Sequence, residues 1–301
     1  MINRLYTLND SYFNQIDTEE KAYFLGLLFT DGTNYENGYI KIDLIESDCY
    51  ILEKLKKSID YTGDIHHYPA ELKIINGKEY SCQPSCRLSF LSREMSKTLS
   101  DYGIIPNKSK LGNYIKNNII PNYLYNHWVR GLIDGDGGID YWIDNENTGH
   151  KKFQINFCSV EDSVNKLADF LGNKFNCKPC IQDRYPDKDN NNLQLCISGN
   201  KIVRKITDWL YKNATIYLQR KYDKYQELIQ ENERVDNNKT LYGSMKPRRK
   251  VLYRPTGIIY DSLADAERAT GINRSNICVQ AKKGTGKWIY YDNPQNINTI
   301  K

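Results

Sequence analysis

Two aspartates stand out by what precedes them. Asp31 closes the stretch Ala22-Tyr23-Phe24-Leu25-Gly26-Leu27-Leu28-Phe29-Thr30, and Asp136 closes His127-Trp128-Val129-Arg130-Gly131-Leu132-Ile133-Asp134-Gly135. Each is followed by a glycine, Gly32 or Gly137, and the two aspartates lie 105 residues apart in a chain of 301. Small residues sit four apart in each stretch, Gly26 with Thr30 and Gly131 with Gly135, which puts them on one helix face. Such a face lets two backbones approach closely, and the apolar remainder predicts that the two helices bury against each other. That packing brings both carboxylates to adjacent helix C-termini. The macrodipole is negative at that end, and like charges raise one another's pKa. A divalent cation relieves both costs, and carboxylates with room for water suit Mg²⁺ or Mn²⁺. Between two carboxylates and a phosphate, such an ion activates a water and stabilises the leaving oxygen. The competing reading is that each Asp-Gly only caps a core helix, with Gly32 and Gly137 left-handed. Two matching helices favour the first reading.

The elements around them repeat as well. Tyr39-Ile40-Lys41-Ile42-Asp43-Leu44, Lys152 to Phe157 and Asn192 to Ser198 alternate apolar and polar residues, the period of a strand with one buried face. Helices are predicted at Tyr50–Ile59, Arg93–Tyr102, Asp162–Phe175 and Lys201–Tyr211. Each half therefore reads α-β-β-α-β-β-α. The class is α+β, with antiparallel sheets covered by helices on their apolar face. The opposite face carries Tyr, Lys, Gln, Asn, Arg and Ser. It is either a solvated surface or one that reads base edges, since those side chains make such contacts.

Both Asp-Gly stretches resemble the LAGLIDADG motif of homing endonucleases. Val129 to Gly137 is a close match; Phe24 to Gly32 is looser, with Phe29 where the motif has its first acid. The resemblance covers about residues 1–235. It implies two pseudo-symmetric halves whose sheets form a saddle over the DNA major groove. It places the metal at Asp31 and Asp136, with Gly32 and Gly137 beside them, and gives Asp134 no catalytic role. It also implies a lysine near each site. Ile104-Ile105-Pro106-Asn107-Lys108-Ser109 resembles the family's Pro-x-Lys-Ser segment and points to Lys108, and Arg220-Lys221 points to Lys221. The candidate DNA contacts become Tyr39, Lys41, Arg87, Ser89, Lys152, Gln154, Asn156, Gln182, Arg184, Gln194 and Ser198.

A third module follows. The segment from Met245 to Lys301 holds eleven basic residues against four acidic ones, so it carries +7, while residues 1–244 carry −2. Nucleic acid is the natural partner of such a tail. Ser262-Leu263-Ala264-Asp265 starts a short helix that Gly271 ends, and Asn273 to Ile277 starts another, which is helix-turn-helix spacing. Val251 to Tyr260 predicts a hairpin turning at Thr256-Gly257. The module resembles the small DNA-binding repeats of intron-encoded nucleases. By that resemblance Arg274, Ser275, Asn276 and Gln280 face bases, with Lys282 and Lys283 on phosphates. The boundaries are 1–115 and 116–235 for the halves, 236–249 for a linker and 250–292 for the module.

Other classes fit poorly. The longest apolar run, Tyr23 to Phe29, is far short of a membrane span, and the start of the chain has no secretory pattern. The expectation is an intracellular protein, in a bacterial or phage-infected cell or an organelle. Eight cysteines are no disulfide framework. Cys177 and Cys180 are a poor zinc pair with Cys82 and Cys86, because the pairs fall in different halves. His66 and His67 are adjacent in a strand, point to opposite faces and make a poor metal pair. The leading expectation is a monomeric, metal-dependent, site-specific double-strand DNA endonuclease serving intron or gene mobility. The alternative is a DNA- or RNA-binding protein that does not cut, such as a maturase or regulator.

Overall fold

The first motif helix, α1 (Glu19–Thr30), begins where the Thr18 hydroxyl accepts the Lys21 amide and ends on Asp31, whose amide reaches back to Leu27 and Leu28. The computed structural model describes residues 5–75, 77–106, 119–146, 149–183, 192–243, 249–284 and 286–291. After α1 come β1 (Gly32–Asn34), β2 (Tyr39–Ile45), α2 (Cys49–Ser58), β3 (His66–Tyr68), β4 (Glu71–Ile75), β5 (Lys78–Cys82), β6 (Ser85–Leu91) and α3 (Arg93–Tyr102). The second motif helix is α4 (Tyr125–Asp136). It leads into β7 (Gly137–Asn145), β8 (His150–Val160), α5 (Glu161–Phe175), β9 (Cys180–Asp183), β10 (Asn192–Ser198), α6 (Asn200–Tyr211) and α7 (Gln219–Gly243).

The two halves share one topology. The strands run β1-β2-β6-β3 in one antiparallel sheet and β7-β8-β10-β9 in the other. In both, the first strand after the motif helix lies at an edge and the next beside it. The registers match too: Gly32 faces Ile42 as Gly137 faces Phe157. Ile40, Ile42 and Leu44 point into the core, as do Phe153, Ile155 and Phe157. Burying a large apolar side chain is worth about 1.5–3 kcal/mol, so slipping either sheet by one residue would expose a whole row. α1 and α4 contribute to a single core that draws residues from both halves.

The α-β-β-α-β-β-α plan needs one correction. The first half has an additional hairpin, β4–β5, between its third and fourth sheet strands. Leu72 and Ile74 are exposed on it, so its pattern carries no core face for periodicity to find. Its Asn76-Gly77 dipeptide is a hairpin signal nonetheless, and Gly77 has a φ of +75°. At the other end, α7 runs on to Gly243, into the segment read as a linker from 236. That stretch is polar, yet it holds no proline or glycine before Gly243 to stop a helix.

The chain divides into two compact units, Met1–Glu233 and Arg234–Lys301. In the second, β11 (Val251–Tyr253) pairs with β12 (Ile258–Tyr260) on one side and β13 (Trp288–Tyr290) on the other. Two helices, α8 (Leu263–Thr270) and α9 (Arg274–Lys283), are joined by three residues. Val251, Ala266, Ile277, Ala281, Trp288 and Tyr290 form its separate small core. The Ser262 hydroxyl caps Asp265, and Gly271 sits at φ +71°, as the cap pattern predicted.

Candidate functional site

α1 and α4 meet at their glycines. A Cβ on Gly26 would lie 2.3 Å from the Trp128 carbonyl oxygen, and one on Gly131 would lie 2.3 Å from that of Tyr23. Any larger residue would push the two backbones apart. One turn on, a Cβ on Gly135 would lie 2.0 Å from Thr30 Oγ1 and 2.7 Å from Asp31 Oδ2. The Asp31 carboxylate therefore rests against the last turn of α4, beside Asp136. Asp31 is half-buried and Asp136 exposed, so both can be reached from solvent.

Gly32 and Gly137 serve closeness rather than a left-handed cap. Neither has a positive φ, and Gly137 is extended (φ −103°, ψ −172°). A Cβ on Gly32 would lie 2.5 Å from the Leu28 carbonyl oxygen, and one on Gly137 2.7 Å from Ile133 Cα. Each motif helix can then turn straight into a strand lying against its own last turn.

The buried polar groups sit just behind. Asp134 is fully buried and accepts three hydrogen bonds: Tyr211 OH at 2.6 Å, Tyr23 OH at 2.8 Å and the Leu218 amide at 2.8 Å. Burial pushes its carboxyl pKa up, against the pull of these donors and of Arg130. Arg130 is buried too, donating to the carbonyls of Ile216 (2.9 Å) and Leu210 (2.8 Å) and to Glu19 (2.8 Å). These bonds fasten segment 210–218 to both motif helices, and α7 starts at its end.

That start carries Lys221. Its side chain is only 8% exposed, and its ammonium donates to the Gly137 carbonyl, directly after Asp136. Burial, with Arg220 beside it, lowers its pKa below the ordinary lysine value, while Asp134, Asp140 and Asp31 pull it back. A buried cation is thus held within the field of the Asp31 carboxylate. Lys108, its counterpart in the sequence reading, lies outside the described residues, as does Arg184. Sequence reasoning overlooked Asp140. It is exposed on β7, four residues past Asp136, and accepts from Asn156 Nδ2 at 2.6 Å. Its place on the outward period of β7 was the available signal.

The outward sheet faces carry the other sequence candidates. On the first sheet Lys41 pairs across with Ser89, Asp43 with Arg87, and Tyr39 with Leu91. Asp43 offsets part of the charge on this face: its carboxylate is 2.5 Å from Arg87 Nε and 3.3 Å from Lys41 Nζ. On the second sheet Gln154 pairs with Ser198, Asn156 with Cys196, and Gln182 with Gln194. Lys152 is bound by Asp144 at 2.7 Å. Gln194 is buried and accepts from Gln182 at 3.3 Å. In the second unit Arg274, Ser275, Asn276, Lys282 and Lys283 are exposed on α9, and Gln280 is half-buried. The Arg274 guanidinium lies 3.8 Å from Glu267.

Two carboxylates at adjacent helix ends, both open to water, form a hard oxygen donor set suited to a cation such as Mg²⁺. Gly135 lacks the Cβ that would crowd the Asp31 carboxylate out of this place.

No protein-family model matches the chain, and no curated protein matches it. Among solved structures it is similar to the LAGLIDADG homing endonuclease I-LtrWI bound to target DNA, at 12% identity and a TM-score of 0.46 over 77% of this chain and 92% of that one. It is also similar to the LAGLIDADG homing endonuclease I-GzeII in complex with its DNA target, at 14% and 0.47 over 72% and 92%. A third is I-SmaMI bound to uncleaved DNA with calcium ions, at 14% and 0.49 over 74% and 94%. Among the described residues, no helix is long and apolar enough to cross a membrane.

Proposed function

We propose that this chain is a site-specific endonuclease that hydrolyses a phosphodiester on each strand of double-stranded DNA with a divalent metal. The observation that carries this reading is the glycine-to-glycine crossing of α1 and α4, which delivers Asp31 and Asp136 to one place beside a buried lysine. Asp31 and Asp136 would hold Mg²⁺ or Mn²⁺, with the backbone of Gly32 and Gly137 adjoining. Such an ion, when bound, supplies Lewis-acid stabilisation of the attacking and leaving oxygens. Lys221, on the Gly137 carbonyl directly after Asp136, would offset charge developing on the phosphate. Lys108 takes that role for the first half. Asp134 holds no substrate; it anchors the segment that presents Lys221.

Target recognition falls to the outward residues of β2, β6, β8 and β10. The basic second unit extends the footprint, with Arg274, Ser275, Asn276 and Gln280 toward bases and Lys282 and Lys283 on phosphates. A single chain carries both carboxylates, so a monomer suffices.

The test is to mix the purified protein and Mg²⁺ with a large randomised DNA library and sequence the cut ends, with Asp136→Asn as control. Defined ends are expected, reduced at least about a hundredfold in the variant. Enrichment of a sequence without cutting would replace the nuclease by a DNA-binding protein, and the absence of both cutting and enrichment would remove DNA as the ligand.

A further inference from the structure

The corner where β2 turns into α2 gathers a second set of reactive side chains. Glu46 lies in the 3₁₀ turn Glu46–Asp48, Cys49 opens α2, and His67 is the middle residue of edge strand β3. One ligand atom of each lies within 4.8 Å of the other two. His67 Nδ1 stands 2.8 Å from Glu46 Oε1 and 3.1 Å from Oε2. Behind Cys49 is a second thiol. Cys86 of β6 is fully buried and points at the carbonyls of Leu44 and Ile45 (3.7 and 3.8 Å).

A histidine–glutamate ion pair accounts for two of these groups but not for the thiol gathered with them. We propose that Glu46, Cys49 and His67 form a binding site for a borderline-soft divalent transition metal, Zn²⁺ in the first place, with water as the fourth ligand. The donor set is one sulfur, one nitrogen and one oxygen, the mixture zinc accepts and magnesium does not favour. Ligand atoms of a tetrahedral zinc site stand roughly 3.3–3.8 Å apart, as its bond lengths of about 2.0–2.3 Å require. Glu46 and His67 are exposed, so their side chains can close on an ion without disturbing the core. Binding releases the Cys49 thiol proton to solvent and leaves a thiolate–metal bond.

The ion would act as a clamp. It would tie edge strand β3 to the β2–α2 corner, and that corner seats α7. Asp48 binds Arg220 at 2.8 Å, and the Gln219 amide donates to Tyr50 OH. Cys49 lies between Asp48 and Tyr50, so the clamp would stiffen the seat of the helix that carries Lys221. The site shares no residue with the Asp31–Asp136 pair and does not depend on the nuclease reading.

The experiment uses the full chain with Asp31→Asn and Asp136→Asn, stripped with a chelator and titrated with Co²⁺ as a spectroscopic probe. One equivalent of Co²⁺ is expected to give a thiolate-to-cobalt charge-transfer band in the near ultraviolet, which Zn²⁺ abolishes on displacement. Zn²⁺ should raise Tm, because only the folded chain assembles the site. Cys49→Ser should remove the band. His67→Gln, on an exposed strand where folding is not at stake, should weaken Co²⁺ binding about tenfold or more. A Co²⁺ spectrum without the band, a band that survives Cys49→Ser, or unchanged affinity in His67→Gln would each overturn the proposal.

Discussion

Position 29 in α1 and position 134 in α4 occupy the same place in the repeat, two residues before the terminal aspartate, and hold opposite chemistry. Phe29 is buried and packs edge-on to Trp128, with ring centroids 6.4 Å apart. Asp134 is buried and accepts three hydrogen bonds, one from α1 and two from segment 210–218. The helix crossing is the same at both, so presenting an aspartate at the helix end needs only the close backbones and not a particular neighbour two residues earlier. What differs is what lies behind. Asp134 fixes the Leu218 amide, and α7 with Lys221 starts at the next residue. Phe29 seals apolar surface and anchors no such segment through hydrogen bonds of its own side chain.

The two sheet faces differ in the same spirit. Arg87 and Gln194 hold matching register positions, as do Lys41 and Asn156. At these two positions the first half thus shows charges that share a counterion, Asp43, and the second shows neutral amides. Charged side chains add a salt-dependent term to affinity, whereas neutral amides can read base edges without one.

The largest expected effect breaks the first contrast. Asp134→Ala leaves two tyrosine hydroxyls and an amide without their acceptor, at about 1–3 kcal/mol each. A total loss of about 3–5 kcal/mol is expected in chemical denaturation. Phe29→Leu keeps apolar volume and should cost less than about 1.5 kcal/mol. Equal losses would mean that Asp134 is only a space filler.

A smaller effect sharpens the contrast through pH. Burial raises the Asp134 pKa, so the folded chain keeps this proton where the unfolded chain has released it. Its contribution to stability is whole below the ordinary aspartate value of about 4 and is lost as pH rises through the raised folded value. Asp134→Asn removes that component. The Tm difference between variant and parent should therefore shift in the variant's favour from about pH 4 to 7. A difference that is flat or shifts the other way would show that the three donors keep the carboxylate ionised. No Phe29 substitution should carry this pH component.

The smallest effect concerns the faces. Arg87→Gln should reduce the slope of log K against log salt by about one in DNA binding. Gln194→Ala should leave the slope alone and change sequence preference, read from selected target libraries. A lost slope in Gln194→Ala would erase the proposed division between the halves.

Much of this was legible in the chain. Small residues four apart located the crossing at Gly26 and Gly131, and the matched Asp-Gly pairs marked where the two helices end. Arg93–Tyr102 was delimited from sequence as it stands, and α5 and α6 to within one residue, because helix period and caps are written locally. Asp43 is legible as an outward strand residue, but its pairing with Arg87 and Lys41, like the part played by Asp140, is not, because what matters about them is which partner they face. The β4–β5 hairpin escaped because it buries no apolar row. In sequence His67 is half of an adjacent histidine pair, whereas its neighbours in space are Glu46 and Cys49, about twenty residues earlier.

By itself, the sequence determined everything carried by short-range periodicity and residue size: two strand-and-helix halves, helices able to touch, and a basic module apart from a near-neutral body. Tertiary structure alone decided which charges meet. Tyr23 and Asp134 are 111 residues apart, Leu218 and Asp134 84. Such pairings depend on how helices cross and strands register. Close packing sets both over the whole core at once, and no local window of residues contains that information.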